Sequence, residues 1–176
     1  MNGLSTSLTN KVLDKLQLTM PVTPDLTWLQ QLYTAWCLNF PFDNIRKMMV
    51  LFSANTKPLP GLDVNDFFIN WLRNGSGATC WPMANAFYEL LSALGYNTTR
   101  IAGDMRDMGI QNHGSVKVTI NNQDYLAEAS LLVNTILPMD NKIFISCDPV
   151  YPLEPEKNKS SLKHQELPAY LISGSM

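Results

Sequence analysis

The sequence predicts an α+β fold, an N-terminal helical bundle followed by an antiparallel β-sheet or barrel, and three observations predict it. In the first half, apolar residues recur at helical spacing, as in Leu26, Leu29, Leu32, Tyr33 and Trp36. In the second half the period changes to alternation, with Asn121 and Asn122 between two alternating runs as a hairpin signal. Helices come first and strands second, which argues for segregated layers rather than a wound parallel sheet.

The first helical run, "TPDLTWLQQLYTAWCLNF", offers Thr23 as an N-cap and Pro24 in the first turn. "NFPFDN" breaks it with a proline. In "LDVNDFFINWLRNG", Asp63 caps a second helix, Phe67, Phe68, Trp71 and Leu72 face inward, and Gly75 ends it. A third helix runs from Cys80 to Leu94, with Gly95 as its stop and Pro82 tolerated in its first turn. Residues 98–103, "HGSVKVTI", "QDYLAEAS" and "KIFISC" read as strands, and "DPVYPLEPEKNKSS", with three prolines, as a surface loop.

With 176 residues, the chain suits a single unit able to bury a core. The organisation expected is one unit over 1–176, helical to about residue 95 and β from about 96. A net charge of −2 provides no basic field for nucleic acid or an anionic membrane. No apolar run approaches the roughly 18 residues a membrane span needs, and the N-terminus lacks a signal-peptide core. Three cysteines without metal-ligand spacing imply neither a disulfide scaffold nor a metal site. A reducing, cytoplasmic setting is the simplest expectation.

Cys80 differs from the other two cysteines in its setting. Cys37 sits on an amphipathic helix and Cys147 at the end of a strand run, the usual places of structural thiols. Cys80 opens a helix after a glycine-bearing loop, where unpaired N–H groups and the helix dipole favour a thiolate. Gly75 and Gly77 are expected to let backbone approach closely, leaving room for a substrate carbonyl and N–H donors for an oxyanion. A nucleophilic thiol needs a base. His164 lies in the polar run "SSLKHQEL" and reads as solvated, whereas His113 opens a strand, where it is either the base or a surface residue.

Hairpin geometry selects the acid. A two-residue turn at Asn121 and Asn122 pairs Ile120 with Gln123, Ser115 with Glu128, and His113 with Ser130. His113, Ser115 and Lys117 then share a face with Asp124, Leu126 and Glu128. Glu128 is a diagonal neighbour of His113, at about 7–8 Å between backbones and within side-chain reach. Asp124 pairs near Thr119, too far along the strand at about 3.4 Å per residue. The opposite face, with Val116, Val118, Ile120, Tyr125 and Ala127, is apolar and suits the core.

"PFDNI", the loop and cysteine, "LLSALGYNTTRIAGDMR", "HGSVKV" and "YLAEAS", in that order from about Leu29 to Leu132, resemble the arylamine N-acetyltransferases, within the papain-like and transglutaminase-like group. The family's Pro-Phe-Glu-Asn is similar to Pro41, Phe42, Asp43 and Asn44. The resemblance puts its catalytic cysteine on Cys80, its histidine on His113 and its aspartate on Glu128. The family's Arg-Gly-Gly-x-Cys reads Ser76, Gly77, Ala78, Thr79, Cys80. Its glutamate two residues after the cysteine is Pro82 and its asparagine four after is Ala84, which looks more like the transglutaminase pattern. Its Asp-Val-Gly-Phe-Gly becomes Glu128, Ala129, Ser130, Leu131 and Leu132.

What the resemblance implies is acyl transfer through a thioester on Cys80, with His113 as base and Glu128 orienting it. Acetyl-CoA is the implied co-substrate, with no permanently bound cofactor, and an arylamine or arylhydroxylamine the acceptor. Phe42 and Leu131 line the acceptor side, with plain core packing as the alternative for Phe42. Two other functions compete: a transglutaminase-like hydrolase, deamidase or protease using the same thiolate, and a non-catalytic binding relative. The acid of "PFDN" pairs with the arginine of the loop in the family. Ser76 replaces that arginine, so Asp43 is expected to be solvated or paired with Arg73 or Arg100. Family members also carry a further C-terminal segment that shapes the donor site. Its shortening here predicts an open cleft with a reactive Cys80 and weak hold on CoA, unless residues 149–176 fold back over the cleft.

Overall fold

The computed structural model describes residues 3–53, 60, 61, 63–105 and 109–139, together with the backbone of 165 and 166. Its elements are α1 (Thr6–Lys15), α2 (Leu26–Asn39), α3 (Ile45–Phe52), α4 (Val64–Asn74), α5 (Cys80–Ala93), β1 (Asn97–Gly103), β2 (His113–Ile120), β3 (Gln123–Ala127), β4 (Leu137–Pro138) and β5 (Gln165–Glu166). The strands form one antiparallel sheet in the order β4-β3-β2-β1-β5. The α+β class and the order of helices before strands are as expected. The "KIFISC" strand, Cys147, the proline-bearing loop and His164 lie outside the described residues, and only two backbone positions of 149–176 lie within them.

Local chemistry explains the element ends. Asp63 accepts from the Asn65 N–H at 2.9 Å to start α4, and Gly75 ends it in the left-handed region at φ 68°. The start of α2 differs from expectation. Its cap is Asp25, whose carboxylate accepts from Trp28 N–H at 2.8 Å, and not Thr23. A carboxylate one residue before the helix reaches the free N–H groups and also suits the positive end of the dipole. Leu26, in the first turn, is exposed, so the inward stripe of α2 begins at Leu29.

The core forms where the aromatic stripes of α2, α4 and α5 meet. Trp36 stacks on Phe40 and packs against Phe67, Phe68 and Phe87, while Phe40 stacks on Trp71. Aromatic groups of this size contribute most of the apolar burial and hold defined offset geometries. Their polar tips have another task. Tyr33 Oη donates to the carbonyl of Glu128 at 2.6 Å, and Trp36 Nε1 donates to that of Ala129 at 2.8 Å. Helix α2 thereby grips the turn that follows β3.

The hairpin has the expected register. Ile120 faces Gln123 and Val116 faces Ala127, with Asn121 and Asn122 both at positive φ (51° and 61°). Two successive positive-φ residues make the tight turn whose twist suits antiparallel strands, and asparagine tolerates that region. β3 stops at Ala127 rather than continuing to Ser130, so Glu128 stands just past the strand end. Val116, Val118 and Ala127 are buried against the helices, with Ile120 and Tyr125 partly so.

Gly77 is where two loops cross. A Cβ added there would lie 1.6 Å from the carbonyl oxygen of Pro41. Gly77→Ala is expected to cost about 2–3 kcal/mol through overpacking against rigid backbone, or roughly 5–10 °C in melting temperature for a chain of this size. Thermal denaturation checks it. An unchanged melting temperature would show that the crossing is looser than described.

Candidate active site

Cys80 is the first residue of α5, half-buried, with Thr79 as the N-cap. The thiol hydrogen-bonds the His113 ring, and the backbone N–H groups of Trp81 and Gly114 also donate to the sulfur. These arise because the start of β2 lies against the start of α5. A Cβ on Gly114 would come within 2.7 Å of the Trp81 ring, so only glycine allows the strand this close.

His113 Nε2 lies 2.9 Å from Glu128 Oε2, with both side chains buried. Nε2 is occupied by the acid, which leaves Nδ1 as the nitrogen that can face sulfur. The hairpin sets this up: β2 presents His113 and Ser115 on one face, the register pairs Val116 with Ala127, and Glu128, the next residue, meets both side chains from just past the strand end. Cys80, His113 and Glu128 therefore stand in line, thiol to imidazole to carboxylate.

The electrostatics follow from that line. Burial disfavours a charged imidazole, but hydrogen bonds to Cys80 and Glu128 and their negative charge overcome it, so His113 is pushed up to about 10. Burial likewise raises the Cys80 thiol, and the His113 hydrogen bond and charge outweigh it, so the thiol titrates below its ordinary value. For Glu128 burial again acts upward and is overcome by His113, Ser115 and the Ser130 N–H, so the carboxyl lies below its usual range. Each shift favours the thiolate–imidazolium pair with an ionised acid beside it.

Two expectations about the loop ahead of Cys80 are corrected. Asp43 is neither simply solvated nor paired with Arg73 or Arg100. Its Oδ2 accepts from the Gly77 N–H at 2.7 Å and its Oδ1 from the Ile45 N–H at 3.1 Å. Arg100 instead serves Glu89 and Asn85. With no arginine at position 76, backbone donors satisfy the carboxylate, and the Asp43 N–H bonds Ala78 O at 3.1 Å to close the crossing. Gly77 does not open a space for substrate either. Its N–H is committed to Asp43 and its α-carbon abuts Pro41, while Gly75 serves as the cap of α4. The N–H groups aimed at the sulfur belong to Trp81 and Gly114.

The remaining residues fall on either side. Leu131 is half-buried, and its N–H points at Glu128 Oε1 at 3.4 Å. Phe42 bridges to Ala78 through backbone, and its side chain is 55% exposed, which removes the core-packing alternative. Ala84 is buried in the hydrophobic core. Sequence reasoning overlooked Ser115 and Ser130 as partners of the acid, although the hairpin register already put Ser115 opposite Glu128. Among the described residues no group of His, Cys, Asp and Glu is placed to hold a metal, and no helix is long and apolar enough to cross a membrane.

Residues 25–140 match the family model for N-acetyltransferases, about two thirds of the chain. The chain belongs to the arylamine N-acetyltransferase family. Solved structures of such enzymes share the fold. The arylamine N-acetyltransferase C of Bacillus anthracis aligns with a TM-score of 0.65 at 17% identity, covering 81% of this chain and 57% of that one. An arylamine N-acetyltransferase of Bacillus cereus, described as having a unique Cys-His-Glu catalytic triad, aligns with a TM-score of 0.71 at 15% identity, covering 96% and 74%. The Salmonella typhimurium enzyme gives 0.67 at 17%, covering 81% and 53%. The chain thus spans between 53% and 74% of the length of these three. A search of curated protein sequences finds no match.

Proposed function

We propose that this arylamine N-acetyltransferase family member is an acetyltransferase that works through a thioester on Cys80. The observation that carries the reading is the line of Cys80, His113 and Glu128 at the start of a helix. Chain 1–176 acts as one catalytic unit, the helical part supplying the nucleophile and the β part the base and the acid. A reducing, cytoplasmic setting keeps the thiol free.

The steps follow from the resting ion pair. The Cys80 thiolate attacks the acetyl carbonyl of acetyl-CoA, forming a carbon–sulfur bond. The CoA sulfur leaves and takes the proton held by His113. Neutral His113 then accepts the proton of an arylamine as its nitrogen attacks the Cys80 acetyl thioester. The acetylated amine departs and Cys80 returns as thiolate beside imidazolium. Glu128 stays ionised throughout and stabilises the charged ring. Phe42 offers an aromatic surface beside the loop, and Leu131 an apolar one beside the acid, both suited to an aryl acceptor.

Initial-rate kinetics test this. Parallel double-reciprocal lines for acetyl-CoA and an arylamine are expected from the covalent intermediate. Intersecting lines would rule out the thioester route. Consumption of acetyl-CoA at an equal rate without amine would make water the acceptor and the chain a hydrolase.

A further inference from the structure

From this geometry we infer that Ser115 and Ser130 are positioning residues, whose hydroxyls hold the Glu128 carboxylate ionised and aimed at His113. The inference rests on Cys80, His113 and Glu128 acting together as proposed above.

Glu128 is 3% exposed and is surrounded by donors. Oε2 takes His113 Nε2 and the hydroxyl of Ser115. Oε1 takes the Ser130 hydroxyl at 3.0 Å, the Ser130 N–H at 3.1 Å and the Leu131 N–H at 3.4 Å. An ionised carboxylate has about four lone-pair sites and is an acceptor only. A set of donors on both oxygens therefore matches the ionised form, while a protonated one would have to turn a serine hydroxyl from donor to acceptor. Burial of a charge is sustained when its lone pairs are filled in this way.

The placement also sets direction. Ser115 lies two residues from His113 on the same face of β2, and both donate to one oxygen. That oxygen is fixed relative to the imidazole by a single strand. Ser130 holds the other oxygen from the turn that Tyr33 and Trp36 anchor. Rotation of the carboxylate would break bonds on both sides. Both serines are themselves buried, so without Glu128 their hydroxyls would need other partners.

Among the described residues, the charged and titratable groups facing this cluster are Cys80 from α5, His113 on β2 and Tyr33 from α2. Farther along the same sheet face lies the Lys117–Asp124 pair at 3.3 Å. Loss of a serine hydroxyl leaves the other groups in place and weakens only the hold on the carboxylate's charge. The cluster then takes up a proton at higher pH, and the imidazolium loses its counter-ion there.

The test is the rate of iodoacetamide alkylation at Cys80 against pH in the full chain, resolved by peptide mass so that Cys37 and Cys147 do not interfere. In Ser115→Ala and Ser130→Ala the acid limb is expected to move up by about one pH unit, a roughly tenfold loss of rate on that limb, with recovery toward the wild-type rate above it. A purely structural role would lower the rate at every pH and leave the limb where it is. Thermal denaturation identifies any variant that does not fold, and a defect in one serine variant leaves the other to decide. An unmoved limb in the folded variants overturns the inference. Profiles for His113→Ala and Glu128→Gln identical to wild type would instead overturn the triad itself.

Discussion

Cys80→Ser is expected to lower acetyl transfer by at least about a thousandfold. The reason lies in the state of the base. His113, pushed up to about 10 between Cys80 and Glu128, is already protonated at neutral pH. It suits a thiol, whose proton it has taken before substrate arrives. A serine hydroxyl is far less acidic than a thiol and does not form that resting ion pair, so its proton has to be removed during the attack itself. The oxygen is smaller than sulfur, so the fold should be undisturbed. Steady-state transfer from acetyl-CoA, with circular dichroism to confirm folding, checks the expectation. Residual activity within tenfold of wild type would mean that another group carries the acetyl.

Glu128→Gln is expected to reduce turnover by about 10²–10⁴-fold. The side chain keeps its shape and loses its charge. The imidazolium then has no counter-ion on the side away from Cys80, and proton return to neutral His113 in the second half-reaction becomes less favourable. The amide also brings donors where Ser115, Ser130 and Leu131 already donate. With the carbonyl kept toward the Ser130 and Leu131 N–H groups, the amide NH2 faces His113 Nε2, which must then give up its proton to accept, so the ring takes the wrong tautomer as well as losing its charge partner. The sign of the pH effect follows. The depressed carboxyl keeps the ion pair charged until pH falls through its folded value, so wild-type alkylation should persist into acid while that of Glu128→Gln should fade near neutrality. Equal alkylation of the two at pH 6 would contradict the role given to the acid.

How much of this was legible depended on whether backbone geometry or side-chain competition decided the outcome. The register from Ile120–Gln123 to Val116–Ala127, and with it the meeting of His113 and Glu128, was readable because two asparagines make a turn of fixed length, and period 2 then dictates every face. The start of α5 was readable from Gly77, Cys80 and Pro82 alone. Asp43 was not, because a carboxylate can be satisfied by a cation or by backbone N–H groups, and no local pattern distinguishes them. Gly77 was misassigned for a related reason. A glycine needed for substrate room looks the same in sequence as one needed where loops cross, and the carbonyl of Pro41 is 36 positions away in the chain. The helix α3 gave no inward stripe to find, since none of its residues is buried and Ile45, Met49, Leu51 and Phe52 face outward. β4 and β5, at two residues each, are too short for any alternation to show.

The central claim is that Cys80 itself carries the acetyl group. Intact mass of the 176-residue chain after brief incubation with acetyl-CoA, without acceptor, tests it most directly. The account predicts a gain of one acetyl group on the peptide holding Cys80, absent in Cys80→Ser and discharged on adding an arylamine. An acetyl group on any other residue, or no gain in mass at acetyl-CoA concentrations that support turnover, would contradict it.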